Sequence, residues 1–272
     1  KKEGRFPVYQ TTERPDRAAQ AILEGRVVLL TDNSPEALIF PATLNSLFQT
    51  ADDYYRNERI VTFLRLIRYV AAFLALALPG LYVAAATFHP QLLPGNLIRS
   101  MAEARSGVPF PTAAEVLLME LSFELLREAG LRMPGPAGNT IGIVGGLIVG
   151  QAAVSANLVS PITVTVAALT ALGSFSIPNE ELSEVFRLWK YGILLLGSCF
   201  GILGVMLGCF LLLMLMAEQE SYGIPWLYPY VGGNLNERAD EKDSMFLAAA
   251  RKRKRRPIFA KWGNRIRFRR KS

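Results

Sequence analysis

The apolar positions of this chain gather into three long stretches without charge, and their lengths predict its architecture. No Asp, Glu, Lys or Arg occurs in the 47 residues between Arg132 and Glu180, in the 30 between Arg68 and Arg99, or in the 27 between Lys190 and Glu218. A helix of about 20 apolar residues crosses the roughly 30 Å of bilayer hydrocarbon. The pattern predicts a mainly α, polytopic helical membrane protein of about 4 spans, near residues 65–88, 138–157, 160–177 and 190–217. An amphipathic or re-entrant helix at 112–129 adds to these.

Residues 1–58 follow a different pattern. Pro15 followed by DRAAQAILEG predicts a short helix ending at Gly25. RVVLLTD and EALIF, on either side of Asn33, Ser34 and Pro35, predict two strands around a turn. So small a unit buries too little surface to fold alone. Residues 1–58 are therefore expected to be the C-terminal end of a larger cytoplasmic α/β domain. Residues 59–218 form the membrane domain, and residues 219–272 are expected to be a cytoplasmic tail, basic and disordered at its end.

Arg56, Arg59, Arg65 and Arg68 precede the first span, which places that side in the cytoplasm. Pro79 and Gly80 at its middle predict a kink. The Pro-rich and polar segment FHPQLLPGNLIRSMAEARSGVPFP reads as an external loop, and so does the connector SIPNEELSEVFRLWK. An even number of spans puts both termini in the cytoplasm.

The helix TAAEVLLMELSFELLREAG carries the most informative polar pattern. Thr112 and Glu115 fit an N-terminal capping box, T-x-x-E. Glu120, Glu124 and Glu128, with Arg127, fall within an arc of about 100° on an otherwise apolar cylinder. One reading lays this helix at the membrane surface with its carboxylates in water. The other places Glu120 and Glu124 at membrane depth, where carboxylates mark an ion pathway and an oligomer turns each into an acidic ring.

Within GNTIGIVGGLIVGQ, glycine recurs at Gly138, Gly142, Gly146 and Gly150. In a water-soluble helix each would cost about 0.5–1 kcal/mol relative to alanine. In lipid the same spacing makes a smooth seam for close helix packing. The last run, YGILLLGSCFGILGVMLGCFLLLMLMA, repeats the theme with Gly197, Gly201, Gly204 and Gly208.

Charge sharpens this picture. The net charge of +7 is local, because residues 244–272 hold 12 Lys or Arg and no acid, leaving the rest of the chain at −5. Read alone, such a tail suits nucleic acid; beside a membrane span it suits anionic lipid on the cytoplasmic face, and the second reading is preferred. Cys199 and Cys209, ten residues apart on one helix, stand about 15 Å from each other and cannot form a disulfide. With a single histidine, His89, the sequence offers no metal-ligand spacing and no nucleophile with a base. No enzymatic activity, cofactor or metal is expected.

The ordered motifs TERPD, EGRVVLLTDNSP, DDYY, RLIRY, LPGLYVAAATFHPQLLP, GVPFPTAAEVLLMELSFELLREAGLR, VGGLIVGQAAV, NLVSP, FSIPN and YGIPWLYP closely resemble the A subunit of GerA-type spore germinant receptors. The resemblance runs from about residue 5 to 231 and does not include the basic tail. It implies a subunit of the inner membrane of bacterial endospores, beside a transporter-like B subunit that senses nutrients and a lipoprotein C subunit. It further implies a homo-oligomeric ring, pentameric by proposal, that forms a nutrient-gated channel for monovalent cations at the onset of germination. A non-conducting scaffold that couples the sensor to germination effectors is the alternative, and a solute transporter a further one.

Overall fold

The computed structural model describes residues 5–132, 136–231, 243–248 and 258–260. The chain divides into two compact units, one built from Lys1–Val70, Ser176–Val185 and Leu212–Ser272 and the other from Ala71–Phe175 and Phe186–Leu211.

The first unit contains β1 (Gln10–Thr12), α1 (Pro15–Leu23), β2 (Val27–Leu30), β3 (Ala37–Phe40) and α2 (Leu44–Phe48). Proline at the first turn starts α1, and Gly25 at φ +89° ends it, because only glycine adopts that conformation without strain. Asn33, at φ +62°, turns β2 back on β3. The antiparallel sheet has the order β1-β3-β2, with Ile39 of β3 opposite both Gln10 and Val28.

Ile39, Leu47 and Phe6 form part of the core, and so does Trp226, from residues 219–272, expected to be a cytoplasmic tail disordered at its end. The Trp226 indole N–H donates to the Pro7 carbonyl (2.8 Å), and the Leu44 N–H donates to the Trp226 carbonyl (2.8 Å). The Ser221 hydroxyl donates to the Val8 carbonyl (2.7 Å). Residues 219–231 are thus part of the fold, closed by the short hairpin of β4 (Glu220–Ser221) and β5 (Ile224–Pro225). Large apolar side chains such as Trp226 and Tyr228 gain more by burial here than in a solvated tail.

The second unit is helical. α3 (Glu58–Thr87) enters it and continues unbroken through Pro79. The expected external loop contains a helix of its own, α4 (Gly95–Arg105). α5 (Thr112–Arg132), α6 (Pro136–Ser155) and α7 (Pro161–Phe175) follow, with α5 closest to α6 and α7. Met119, Val159 and Ala167 make one buried cluster, and Val83, Val116 and Leu194 make another.

Small residues set the closest approaches. A Cβ placed on Gly173 of α7 would lie 2.5 Å from the Ala71 carbonyl oxygen of α3. Gly146 and Gly150 of α6 face Phe123 and Val164, at 3.3 and 3.2 Å from where a Cβ would stand. The surroundings of Gly138 and Gly142 lie outside the described residues.

The last apolar run departs from the expected single span at 190–217. It forms two helices, α8 (Glu180–Phe200) and α9 (Ile202–Glu218), separated at Gly201 with φ +63°. A Cβ on Gly208 would lie 2.9 Å from the Ile193 side chain, and one on Gly204 only 1.9 Å from the Leu196 carbonyl oxygen. On one straight helix Ile193 and Gly208 would stand about 22 Å apart. The run therefore doubles back as an antiparallel hairpin. The glycines read as a seam toward neighbouring spans are what let these two arms touch.

Among the described residues, α3 is long and apolar enough to cross a membrane, with mean hydropathy 1.9 over its best window, and α7 and α9 are apolar but shorter. At 1.5 Å per residue, α3 is about 45 Å long.

Candidate functional site

The acidic stripe of α5 meets basic residues of α8. Lys190 Nζ donates to Glu120 Oε2 at 2.6 Å, with side chains only 5% and 2% exposed. One turn further along α5, Glu124 pairs with Arg187. A step of four on α5 matched by three on α8 is what antiparallel neighbours require. The Arg127 guanidinium donates to the Ser174 hydroxyl (3.1 Å) and stacks over the Phe175 ring at 4.1 Å. Both expected pathway residues, Glu120 and Glu124, thus carry a cationic partner within their own chain.

Sequence reading missed Lys190 and Arg187, which stood in the segment taken for an external connector. Their spacing of three in FRLWK, on a helix facing an acidic one, was the available signal. Long side chains make this seam. Two buried charges are tolerable together, whereas removing one leaves the other stranded in a low-dielectric setting.

The capping box expected of Thr112 and Glu115 does not form: Thr112 is the first residue inside α5, and the Glu115 carboxylate bonds groups outside its own helix. It is wholly buried, with Oε1 accepting from Arg105 Nε (3.2 Å). Its Oε2 accepts from the Ser160 backbone N–H (2.9 Å) and the Thr163 hydroxyl (3.1 Å). Ser160 immediately precedes α7, so the Glu115 carboxylate sits at the positive end of that helix. The Tyr82 hydroxyl lies 3.4 Å from that of Thr163. One carboxylate therefore ties together α4, α5 and the start of α7.

The first unit holds a second buried network. Asp53 receives Arg68 through both oxygens (2.9 Å each) and Arg65 Nε at 3.1 Å. Arg65 also binds Asp243 Oδ1 (3.0 Å) and the Ser244 carbonyl (2.7 Å). Burial pushes the Asp53 carboxyl up, but the hydrogen bonds from Arg68 and Thr50 outweigh it and hold the group below the ordinary aspartate range. Burial and the nearby Asp243 push the Tyr54 phenol well above its ordinary value. Two of the four arginines read as a topogenic signal are thus spent inside the protein, leaving Arg56 and Arg59 exposed. Among the described residues, no group of three His, Cys, Asp or Glu is placed to hold a metal ion.

The family model described as Bacillus/Clostridium GerA spore germination protein matches residues 2–259. The chain belongs to the GerA family. It is 43% identical over 244 residues to the uncharacterized membrane protein YfkQ of Bacillus subtilis (strain 168), covering 90% of this chain and 47% of that one. It is 42% identical over 224 residues to spore germination protein GerLA of Bacillus cereus, covering 82% and 46%. Spore germination protein A1 of Bacillus subtilis (strain 168) is likewise 42% identical over 224 residues, with 82% and 46% covered. The chain spans about half the length of these relatives. No solved structure matches it.

Proposed function

We propose that this chain is the membrane portion of a nutrient germinant-receptor subunit in the inner membrane of the spore, and that several copies surround a nutrient-gated cation path. The family and the length and apolarity of α3 support the membrane-receptor part of this reading. The buried Glu120–Lys190 pair carries the conduction part. Ionisable groups inside an apolar helical body are retained for ion movement more readily than for stability, since apolar replacements often stabilise.

In this reading the pairs with Lys190 and Arg187 neutralise Glu120 and Glu124 while the path is shut. Separation of α8 from α5 frees two carboxylates one turn apart, and a ring of copies then attracts cations. The remaining partners follow the family resemblance: a transporter-like subunit that senses nutrient and a lipoprotein subunit.

The test replaces Glu120 and Glu124 with Gln in the full-length subunit and follows potassium release from spores after nutrient addition. Slower or less selective release is expected. Unchanged kinetics and selectivity would remove both carboxylates from the path and leave the scaffold reading in its place.

A further inference from the structure

The helix α1 is turned inside out. Arg17, Gln20, Ala21 and Glu24, spaced as one helical face, line a small cavity, while Ile22 and Leu23 point outward at 59% and 65% exposure. A helix on a sheet normally buries its apolar stripe. Burying the polar stripe instead desolvates two charged groups and calls for a polar occupant.

The cavity wall opposite α1 is mixed: Gln10, Ser46, Gln49, Thr50 and Tyr54 contribute polar groups beside the apolar Ile39 and Ala51, and Arg26 also lines it. Charge inside it does not balance. Glu24 Oε2 lies 3.6 Å from Arg26 Nε and its Oε1 accepts from the Gln20 amide (2.9 Å). The Arg26 side chain is 9% exposed, and its Nε is buried without a hydrogen-bond partner. Arg17 donates to the Ser46 carbonyl (3.2 Å), and no ion pair forms at Arg17 among the described residues. Two guanidinium groups therefore share one carboxylate. The Arg26 guanidinium is held over the Phe259 ring at 4.5 Å, which fixes the plane of its fork.

We infer that this cavity binds a small monocarboxylate, whose carboxylate lies between Arg17 and Arg26 and completes their charge balance. A planar carboxylate matches the guanidinium fork. Size favours it over phosphate: the cavity is half open and its free space is about 30 Å³, room for about two water molecules, which suits a three-atom carboxylate better than a five-atom phosphate. Only a headgroup of a few atoms fits there, with the remainder of the ligand toward solvent.

The test uses the purified chain and sodium acetate, with sodium chloride at equal ionic strength and sodium phosphate as references. Acetate should raise the unfolding temperature with saturation, and neither reference should match it. Arg17→Met should abolish the acetate increment, and Arg26→Lys, which keeps the charge but not the fork, should weaken acetate binding several-fold. The inference is overturned if acetate and chloride act alike, if acetate fails to saturate, if phosphate competes equally well, or if Arg26→Lys binds acetate as the parent does.

Discussion

The ammonium of Lys190 on α8 and the carboxylate of Glu120 on α5 meet at 2.6 Å, both sealed from solvent. Removing either member alone strands the other. Lys190→Met or Glu120→Ala should therefore destabilise the helical unit by about 3–5 kcal/mol, while the paired change Glu120→Leu with Lys190→Met should cost far less. Denaturation in detergent of the two single variants and the double variant forms a thermodynamic cycle. Additive losses would show that the pair is not a coupled unit.

Gly201 and Gly204 set the hairpin of α8 and α9. A Cβ at Gly204 meets the Leu196 carbonyl oxygen at 1.9 Å, and alanine there forces the arms apart at a cost of about 1–3 kcal/mol or more. Gly146, whose nearest neighbour is the Phe123 ring at 3.3 Å, should tolerate alanine better and fail with leucine. Cysteines at positions 193 and 208, in a background with Cys199 and Cys209 replaced by Ala, read the hairpin directly: they should cross-link, and failure to do so would disprove it.

Asp53 provides a pH dependence. Its folded pKa is lowered, so its contribution to stability is complete above the unfolded aspartate value of about 4 and is lost as pH falls through the lower folded value. Asp53→Asn should destabilise the first unit at neutral pH and flatten its acid unfolding curve below about pH 4. An acid limb with the parent's slope would mean that Arg65 and Arg68 do not depend on this carboxylate.

Glu115 bears on the start of α7. Glu115→Ala removes the partner of Arg105, the Ser160 N–H and the Thr163 hydroxyl at once, a loss of about 2–4 kcal/mol. Amide exchange should speed up selectively at the first turn of α7. Uniform acceleration across the unit would point to general unfolding rather than to this capping contact.

Much of this was legible in the residues. Pro15, Gly25 and Asn33 are local signals, acting through φ preferences that need no tertiary partner, and α1 and the β2–β3 turn follow them. The acid stripe of α5 was visible as periodicity, but its partners were not, because Lys190 lies 70 residues from Glu120 and only the fold brings them together. The hairpin at Gly201 was hidden for a different reason. A charge-free run of 27 residues satisfies the length of one span, and only the backbone conformation of one glycine shows that it is two shorter helices.

Electrical recording on bilayers containing the full-length subunit with its receptor partners bears most directly on the conduction reading. Nutrient should open a potassium conductance in the parent, and Gln at both Glu120 and Glu124 should reduce its preference for cations over anions. A receptor that triggers germination in spores yet passes no current in the bilayer under nutrient would contradict it.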